Sequence, residues 1–504
     1  MSAPETTRSP RVTDDASWPS DPVAGTWDLL VVGGGTAGLV AAHTAGDLGA
    51  SVLLVERSRT GGDCLWTGCV PSKSLLAAGH AAAEARAGGS LGVHVGSVEV
   101  DFAAVMAHVR GAIAAIAPVD SPDAVRRSGA AVAQGTVRFT GPRTAEVDGT
   151  AVSFRQAVLA TGSAPIVPGL PGLRESEPLT SDTVWDLTEL PARLLVLGGG
   201  PIGCELGQAL ARLGSQVTIV EAADRVLARE EQDASRIVDA ALRADGIDLR
   251  TGVALTSVGT GTGGDPTGTP DDQEYVAHLD DGSTVTCDRI LVAVGRRPGT
   301  ADLGLDAAGV ELDERGYVVV DDALRTSNPR IRAAGDLTGH PPFTHVAGSH
   351  GSLAASNAVL GLRRKVKPDL VPRVTYTSPE VAAFGVAPDG AGVTVRRVEH
   401  DEVDRARAEG RTAGYSSLVL DRRGRVVGAT VVGPRAGESL AEAVLAAQAG
   451  LRARTVAGTM HAYPTWSDGV WKAGLAQGRA DLSAPTTRRV TGALRRLRRA
   501  WVSR

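Results

Sequence analysis

The chain has 504 residues, 43% of them hydrophobic and 22% charged, and a formal charge of −5. At roughly 150 residues per domain this makes about three to four domains; the apolar content excludes wholesale disorder, and so small a net charge gives the body no reason to bind nucleic acid. Four cysteines exclude a secreted disulfide scaffold, and the sequence shows neither a secretory leader nor an uninterrupted apolar run of about 18 residues, so a soluble, cytoplasmic protein is expected.

In chain order, residues 1–26 are rich in Pro, Ser, Thr and Asp and predict a disordered tail. Residues 28–57 (DLLVVGGGTAGLVAAHTAGDLGASVLLVER) predict an apolar strand, a Gly-x-Gly-x-x-Gly turn, an alanine-rich helix and a second strand ending in Glu56. Residues 193–222 (RLLVLGGGPIGCELGQALARLGSQVTIVEA) repeat the pattern without a gap. Gly33, Gly35, Gly38 and Glu56 match Gly198, Gly200, Gly203 and Glu221 at a constant offset of 165. The first glycine permits a sharp turn, the second admits a pyrophosphate, and the third lets helix and strand pack closely. The helix N-terminus offers free N–H groups to phosphates, and the acidic residue can accept hydrogen bonds from ribose hydroxyls. One such motif can be a glycine turn with nothing bound; two copies with matched acids indicate two dinucleotide sites, which suggests a flavin and a nicotinamide on separate domains. Glu221 would repel a 2′-phosphate, favouring NADH over NADPH. Arg225 nearby reads as half of a surface ion pair.

Between the repeats lies Gly61 to Lys73 (GGDCLWTGCVPSK), with Cys64 and Cys69 just ahead of a helix predicted from Pro71 to about Arg86. A thiolate at a helix start is favoured by the dipole and reactive. A close cysteine pair in an intracellular chain is more often catalytic or metal-binding than structural. Zinc would need two further ligands that no clustered His or Cys supplies, so redox chemistry remains and no resident metal is expected. Cys204 and Cys287 read as small buried hydrophobes.

Further motifs follow: Ala160-Thr161-Gly162, Ala293-Val294-Gly295-Arg296-Arg297-Pro298, Ala333-Ala334-Gly335-Asp336 and Tyr376-Thr377-Ser378-Pro379-Glu380. With the two repeats and the cysteine segment, they make residues 27–477 resemble the class I pyridine nucleotide–disulfide oxidoreductases, flavoproteins such as dihydrolipoamide dehydrogenase, glutathione reductase and mercuric reductase. The resemblance implies an α/β fold with two Rossmann-like dinucleotide-binding domains and a C-terminal α+β dimerisation domain, in a homodimer. The FAD domain would span 27–180, the NAD domain 181–296, a central domain completing the FAD site 297–366, and the dimerisation domain 367–480. By the same resemblance, Gly33, Gly35, Gly38, Glu56 and Asp336 would hold FAD, and Gly198, Gly200, Gly203 and Glu221 would hold NADH. Gly162 and Gly295 would also line the cofactor sites. Lys73 and Glu205 match an ion pair beside the flavin. Cys69 would face the flavin and Cys64 the acceptor, as a redox-active disulfide passing electrons from NAD(P)H and FAD to a small disulfide or a thiol-bound metal ion.

The sequence departs from the family near its end. The family's His-Pro-Thr segment supplies an acid/base to the partner subunit, with a glutamate five residues on; here Tyr463 takes the histidine's place and Asp468 the glutamate's. His461 stands two residues earlier, about 6.6 Å away on the same side of an extended segment, and is the alternative acid/base. A tyrosine here is more similar to mercuric reductases, though their C-terminal cysteine pair is not matched after Cys287. Trp66, between the redox cysteines, replaces a small polar residue and either narrows access or offers an aromatic surface.

Two segments complete the reading. Residues 256–273, rich in Gly, Thr, Pro and Asp, predict a mobile hairpin loop. Residues 481–504 form a basic amphipathic tail. From Arg488 to Arg504 it carries seven arginines and no acid, with Val490, Leu494, Leu497 and Trp501 on one helical face. That face is expected to pack on the body or the other subunit, with peripheral membrane contact as the alternative. Two other functions follow from these features: an NADH:quinone reductase at the membrane surface, and a redox-sensing flavoprotein without sustained turnover.

Overall fold

The computed structural model describes residues 18–260 and 274–502; the expected disorder of residues 1–17 lies outside the described residues, and of the loop expected at 256–273, residues 256–260 are instead strand, paired with Tyr275–Leu279, while 261–273 lie outside them. The chain forms two compact units: residues 18–226 with 242–366, and residues 227–241 with 367–502.

The first unit opens as its repeats predict. Strand β1 (Gly25–Val32), helix α1 (Thr36–Asp47) and β2 (Val52–Glu56) lead into α2 (Gly62–Trp66) and α3 (Cys69–Ala87). Helices α4 (Phe102–Ile116) and α5 (Pro122–Arg127) precede β3 (Ala131–Gln134), β4 (Val137–Gly141), β5 (Thr144–Val147), β6 (Thr150–Leu159) and the short β7 (Ser163–Pro165). β3, β2, β1 and β6 pair in parallel, with the β4–β5 hairpin antiparallel at one end. Parallel strands covered on both faces are apolar throughout, which is why β2 reads Val-Leu-Leu-Val without a break. Residues 18–24, expected to be disordered, instead lie along β3: the Asp21 carboxylate accepts from the Val132 N–H (2.8 Å) and pairs with Arg126 (3.0 Å).

The run Phe102–Arg127 is long and apolar enough to cross a membrane by length and composition. It is three pieces, broken by a tight turn at Ala117–Val119. At about 22 Å, α4 is shorter than a bilayer core, and it buries Phe102, Met106, Val109 and Ile113 in the unit.

The second repeat builds β8 (Arg193–Leu197), α6 (Pro201–Leu213) and β9 (Gln216–Glu221), followed by α7 (Gln232–Ala244) and β10 (Asp248–Thr251). Next come β11 (Leu255–Thr260), β12 (Tyr275–Leu279), β13 (Thr284–Cys287) and β14 (Arg289–Val292). The sheet order β10-β9-β8-β14 is parallel, and β11–β13 form an antiparallel sheet beside it. The central segment contributes β15 (Arg296–Pro298), α8 (Leu305–Ala308), β16 (Ile331–Ala333) and α9 (Thr344–Leu360). It has no sheet of its own. β16 joins the first sheet beside β6, and α9 lies on α1 so closely that a Cβ on Gly351 would come within 2.2 Å of the Ala37 carbonyl oxygen.

The second unit is α+β. Strands β17 (Arg373–Thr375), β18 (Glu380–Gly385) and β19 (Thr394–Glu399), the short α10 (Asp404–Ala408), and β20 (Tyr415–Leu420) and β21 (Val426–Gly433) give an antiparallel sheet ordered β17-β18-β21-β20-β19. Helices α11 (Ala436–Gln448), α12 (Ala453–Gly458) and α13 (Asp468–Ser483) cover it over a core that includes Phe384, Leu418, Leu440 and Trp466. Helix α14 (Pro485–Val502) follows and buries no residue. The expectation that its apolar face packs on the body is therefore not met within one chain.

Candidate active site

Both dinucleotide motifs are built alike. Gly33 and Gly198 leave their strands at φ 102° and 106°, a left-handed backbone that favours glycine. A Cβ on Gly38 or Gly203 would sit 1.8 or 1.9 Å from the carbonyl oxygen of Gly33 or Gly198, so the helices reach their strands only without one. Gly35 and Gly200 differ. They cap α1 and α6 without a side-chain hydrogen bond, and a Cβ there would meet nothing closer than 3.8 Å at Gly35 and nothing within 4 Å at Gly200. Each cradle therefore leaves room at a helix N-terminus whose first N–H groups lack helical partners.

At the tip of β2, Glu56 accepts from the N–H groups of Gly34 (2.5 Å) and Ser58 (2.8 Å). Glu221 on β9 does the same with Gly199 (2.6 Å) and Ala223 (2.7 Å). Both carboxylates are fixed, with lone pairs left to accept from ribose hydroxyls. Arg225 pairs with Asp224 at 3.2 Å. The two cradles fit two dinucleotides.

The cysteine segment abuts the first cradle. The Gly61 N–H donates to the Gly34 carbonyl (2.9 Å), and a Cβ on Gly62 would lie 2.6 Å from the Gly35 Cα. Cys64 in α2 and Cys69 at the start of α3 are free thiols, and Cys69 Sγ lies 3.2 Å from Thr344 Oγ1. The hydrogen bond from Cys64, aided by Thr344 and the Lys73 charge, outweighs burial and holds the Cys69 thiol down at about 6. The same bond, with burial, pushes Cys64 up. One turn into α3, Lys73 Nζ sits 2.8 Å from the Glu205 carboxylate of α6, which is only 8% exposed. Cys204 and Cys287 are buried, and burial raises the Cys287 thiol to about 12.

A third group gathers the remaining motifs. β7 and β15 form a two-stranded ribbon, flanked by Gly162 and Gly295 at φ 67° and 144°. The Ser163 hydroxyl donates to Asp336 (2.6 Å) and accepts from Arg296 Nε (2.8 Å). The Arg296 guanidinium also pairs with Asp63 and lies 3.7 Å from Asp182. About half of the Asp63 side chain is exposed (51%). Burial nonetheless pushes its carboxyl up to about 6, with Asp182 and Asp336 adding to the rise and Arg296 opposing it. Asp63 and Cys69 are both exposed on the cysteine segment that abuts the first cradle.

Asp63 and Arg296 stand inside their motifs with no role legible from the sequence. Thr344, 275 residues from Cys69, carried no local signal. Trp66 is pinned by its Nε1–H to the Thr60 carbonyl (2.8 Å) and covered by the Arg59 guanidinium at 4.2 Å.

The C-terminal candidates each have their own hydrogen-bond partner. His461 is 10% exposed, with Nε2 2.8 Å from Glu442 and Nδ1 2.9 Å from the Thr459 carbonyl. Two acceptors require two donors, the imidazolium form. Burial opposes that charge, but the bonds to Glu442 and Thr459 outweigh it and raise the pKa. Tyr463, 69% exposed, donates to Asp404 (2.7 Å), which holds the phenol above its usual value. Asp468 is buried at the first turn of α13, its Oδ1 3.4 Å from the Thr465 hydroxyl and its Oδ2 without a partner among the described residues.

This geometry agrees with comparison to known proteins. The pyridine nucleotide-disulphide oxidoreductase family model matches residues 27–351, and its dimerisation domain matches 371–473. A mercuric reductase from Streptomyces lividans is 37% identical over 457 residues, covering 88% of this chain and 94% of that protein. A dihydrolipoyl dehydrogenase from Chlamydia muridarum is 31% identical over 479 residues, 92% and 99% of the two chains. Among solved structures, LpdA from Mycobacterium tuberculosis superposes with a TM-score of 0.80 at 27% identity, covering 89% of this chain and 99% of that one. The chain belongs to the pyridine nucleotide-disulphide oxidoreductase family. Members are flavoprotein oxidoreductases that bind FAD and a nicotinamide dinucleotide and carry a disulfide redox centre, and the matched dimerisation domain supports a homodimer.

Proposed function

We propose that this chain is an NADH-dependent oxidoreductase whose Cys64–Cys69 pair captures a thiol-bound soft metal ion for reduction, with a small disulfide, reduced by the pair itself, as the second acceptor class. Bound FAD would supply the two-electron relay between nicotinamide and cysteines, held by the first cradle, Glu56 and Asp336, with Gly162 beside it. The second cradle, Glu221 and Gly295 would take the nicotinamide dinucleotide; a carboxylate at the ribose position supports NADH over NADPH. Lys73, fixed by Glu205, would set a positive charge beside the flavin. The reading keeps the cytoplasmic location expected from the sequence.

The observation that carries the proposal is the cysteine pair itself, two free thiols five residues apart beside the first cradle, with Lys73 and Thr344 favouring the Cys69 thiolate. The choice of acceptor rests on proton supply. Reducing a disulfide RSSR requires Cys64 to form a mixed disulfide and expel one RS⁻; Cys69 then attacks the Cys64 sulfur, expels the second and closes the Cys64–Cys69 bond. Both leaving sulfurs need protons, yet His461 is engaged at both nitrogens and the Tyr463 pKa is raised. A thiol-bound metal ion M(SR)2 exchanges both ligands for Cys64 and Cys69, whose protons leave with the two RS⁻ as RSH; this exchange is redox-neutral and breaks no S–S bond, and the two electrons that reduce the metal would come from bound reduced FAD. The relatives named mercuric reductases support this order.

The test is anaerobic rapid mixing of NADH-reduced holoenzyme with thiol-bound mercuric ion, lipoamide or menadione, for wild type and Cys64→Ser. Reoxidation by mercuric ion that is lost in Cys64→Ser is expected. Faster reoxidation by lipoamide would move the enzyme to the disulfide class. Equal reoxidation of both forms by menadione alone would remove the cysteines from the route, and no turnover on any acceptor would favour a redox sensor.

A further inference from the structure

The last helix has a composition with no use inside the molecule. Among the described residues α14 carries Arg488, Arg489, Arg495, Arg496, Arg498 and Arg499 and no acidic residue, and it buries none of its side chains. Val490, Leu494, Leu497 and Trp501 recur at spacings of four, three and four. They form a single stripe about 16 Å long and are 59–69% exposed. The arginines fill the rest of the circumference, and Arg498 stacks on Trp501 at 4.6 Å. Arg495 and Arg499, one turn apart, repel each other, and Gly492 in the helix interior costs about 1 kcal/mol relative to alanine.

We infer that α14 is a peripheral anchor that lies on an anionic lipid surface, apolar stripe down. An anionic surface suits both faces of the helix: phosphate headgroups neutralise the arginine flanks, and the acyl boundary receives the stripe. A nucleic acid would satisfy the arginines but offers no place for four adjacent apolar side chains ending in tryptophan. Six arginines exclude a spanning helix. The seven arginines between Arg488 and Arg504 leave the remainder of the chain at −12 against a total of −5, so only the tail is attracted to an anionic membrane. A homodimer carries two such helices, and bivalence strengthens contacts that are individually weak.

Co-sedimentation of FAD-loaded enzyme with vesicles of phosphatidylcholine and phosphatidylglycerol (about 7:3), followed by flavin absorbance, tests this. Binding is expected to the mixed vesicles but not to phosphatidylcholine alone, and to fall at least tenfold in Leu494→Asp/Leu497→Asp. That variant should keep its flavin and NADH reduction, because α14 buries nothing. Absent binding by the wild type overturns the inference. So does equal binding by the variant, which would mark a general polyanion site, best followed with duplex DNA. A weaker dimer without vesicle binding would instead assign the stripe to the other subunit and also overturn it.

Discussion

Removing the Cys64 thiol should release Cys69 from its low pKa. In the structure the leading cause of that shift is the hydrogen bond from Cys64, which holds Cys69 near 6 against an ordinary value of 9.0. At pH 7 a thiol of pKa about 6 is roughly ninetyfold more ionised than one of pKa about 9. Its intrinsic nucleophilicity is roughly twentyfold lower, taking a Brønsted slope of about 0.45. The net gain in alkylation rate at pH 7 is then only about fourfold, so a single rate decides little and the pH profile decides the matter. Reduced holoenzyme treated with iodoacetamide between pH 4.5 and 10 should show a Cys69 midpoint near 6, with Cys204 and Cys287 silent because they are buried. In Cys64→Ala the midpoint should rise by more than one unit, whereas Cys64→Ser retains an O–H donor and should stay low. An unmoved midpoint in Cys64→Ala would refute the assignment of the shift to Cys64 and shift the weight to Lys73 and Thr344.

Three further outcomes follow from the geometry. Gly200→Ala should fold and keep its flavin while the KM for NADH rises about tenfold or more, since its Cβ meets only the space reserved for pyrophosphate; Gly203→Ala should unfold the second cradle because its Cβ meets the Gly198 carbonyl oxygen at 1.9 Å. Thermal melts and NADH kinetics separate the two. Lys73→Met removes the cation 2.8 Å from the Glu205 carboxylate, 8% exposed, and should destabilise by about 2 kcal/mol, the loss for a broken buried pair reduced for the partial exposure of Lys73. Lys73→Arg should recover part of it. The His461 pKa is raised, so its pairing with Glu442 contributes fully below the ordinary value near 6.5 and is lost as pH rises through the folded value. Glu442→Gln should therefore melt lower than wild type at pH 6, with the gap closing toward pH 9; a gap independent of pH would contradict a charged His461.

The sequence alone determined what is local and repeated. Two glycine turns spaced by 165 residues, apolar parallel strands and a cysteine pair at a helix start are set by backbone sterics and periodicity, so they survive without knowledge of the fold. Their partners were decided by tertiary structure. Cys69 meets Thr344, Asp63 meets Arg296, and β16 enters the first sheet, each across more than 150 residues, where no spacing rule applies. The same holds at the C-terminus. An extended reading put His461 and Tyr463 on one side, but packing gave His461 to Glu442 and Tyr463 to Asp404. The basic tail is the reverse case: its amphipathic pattern is legible in the sequence, and only the folded structure shows that α14 buries none of its residues.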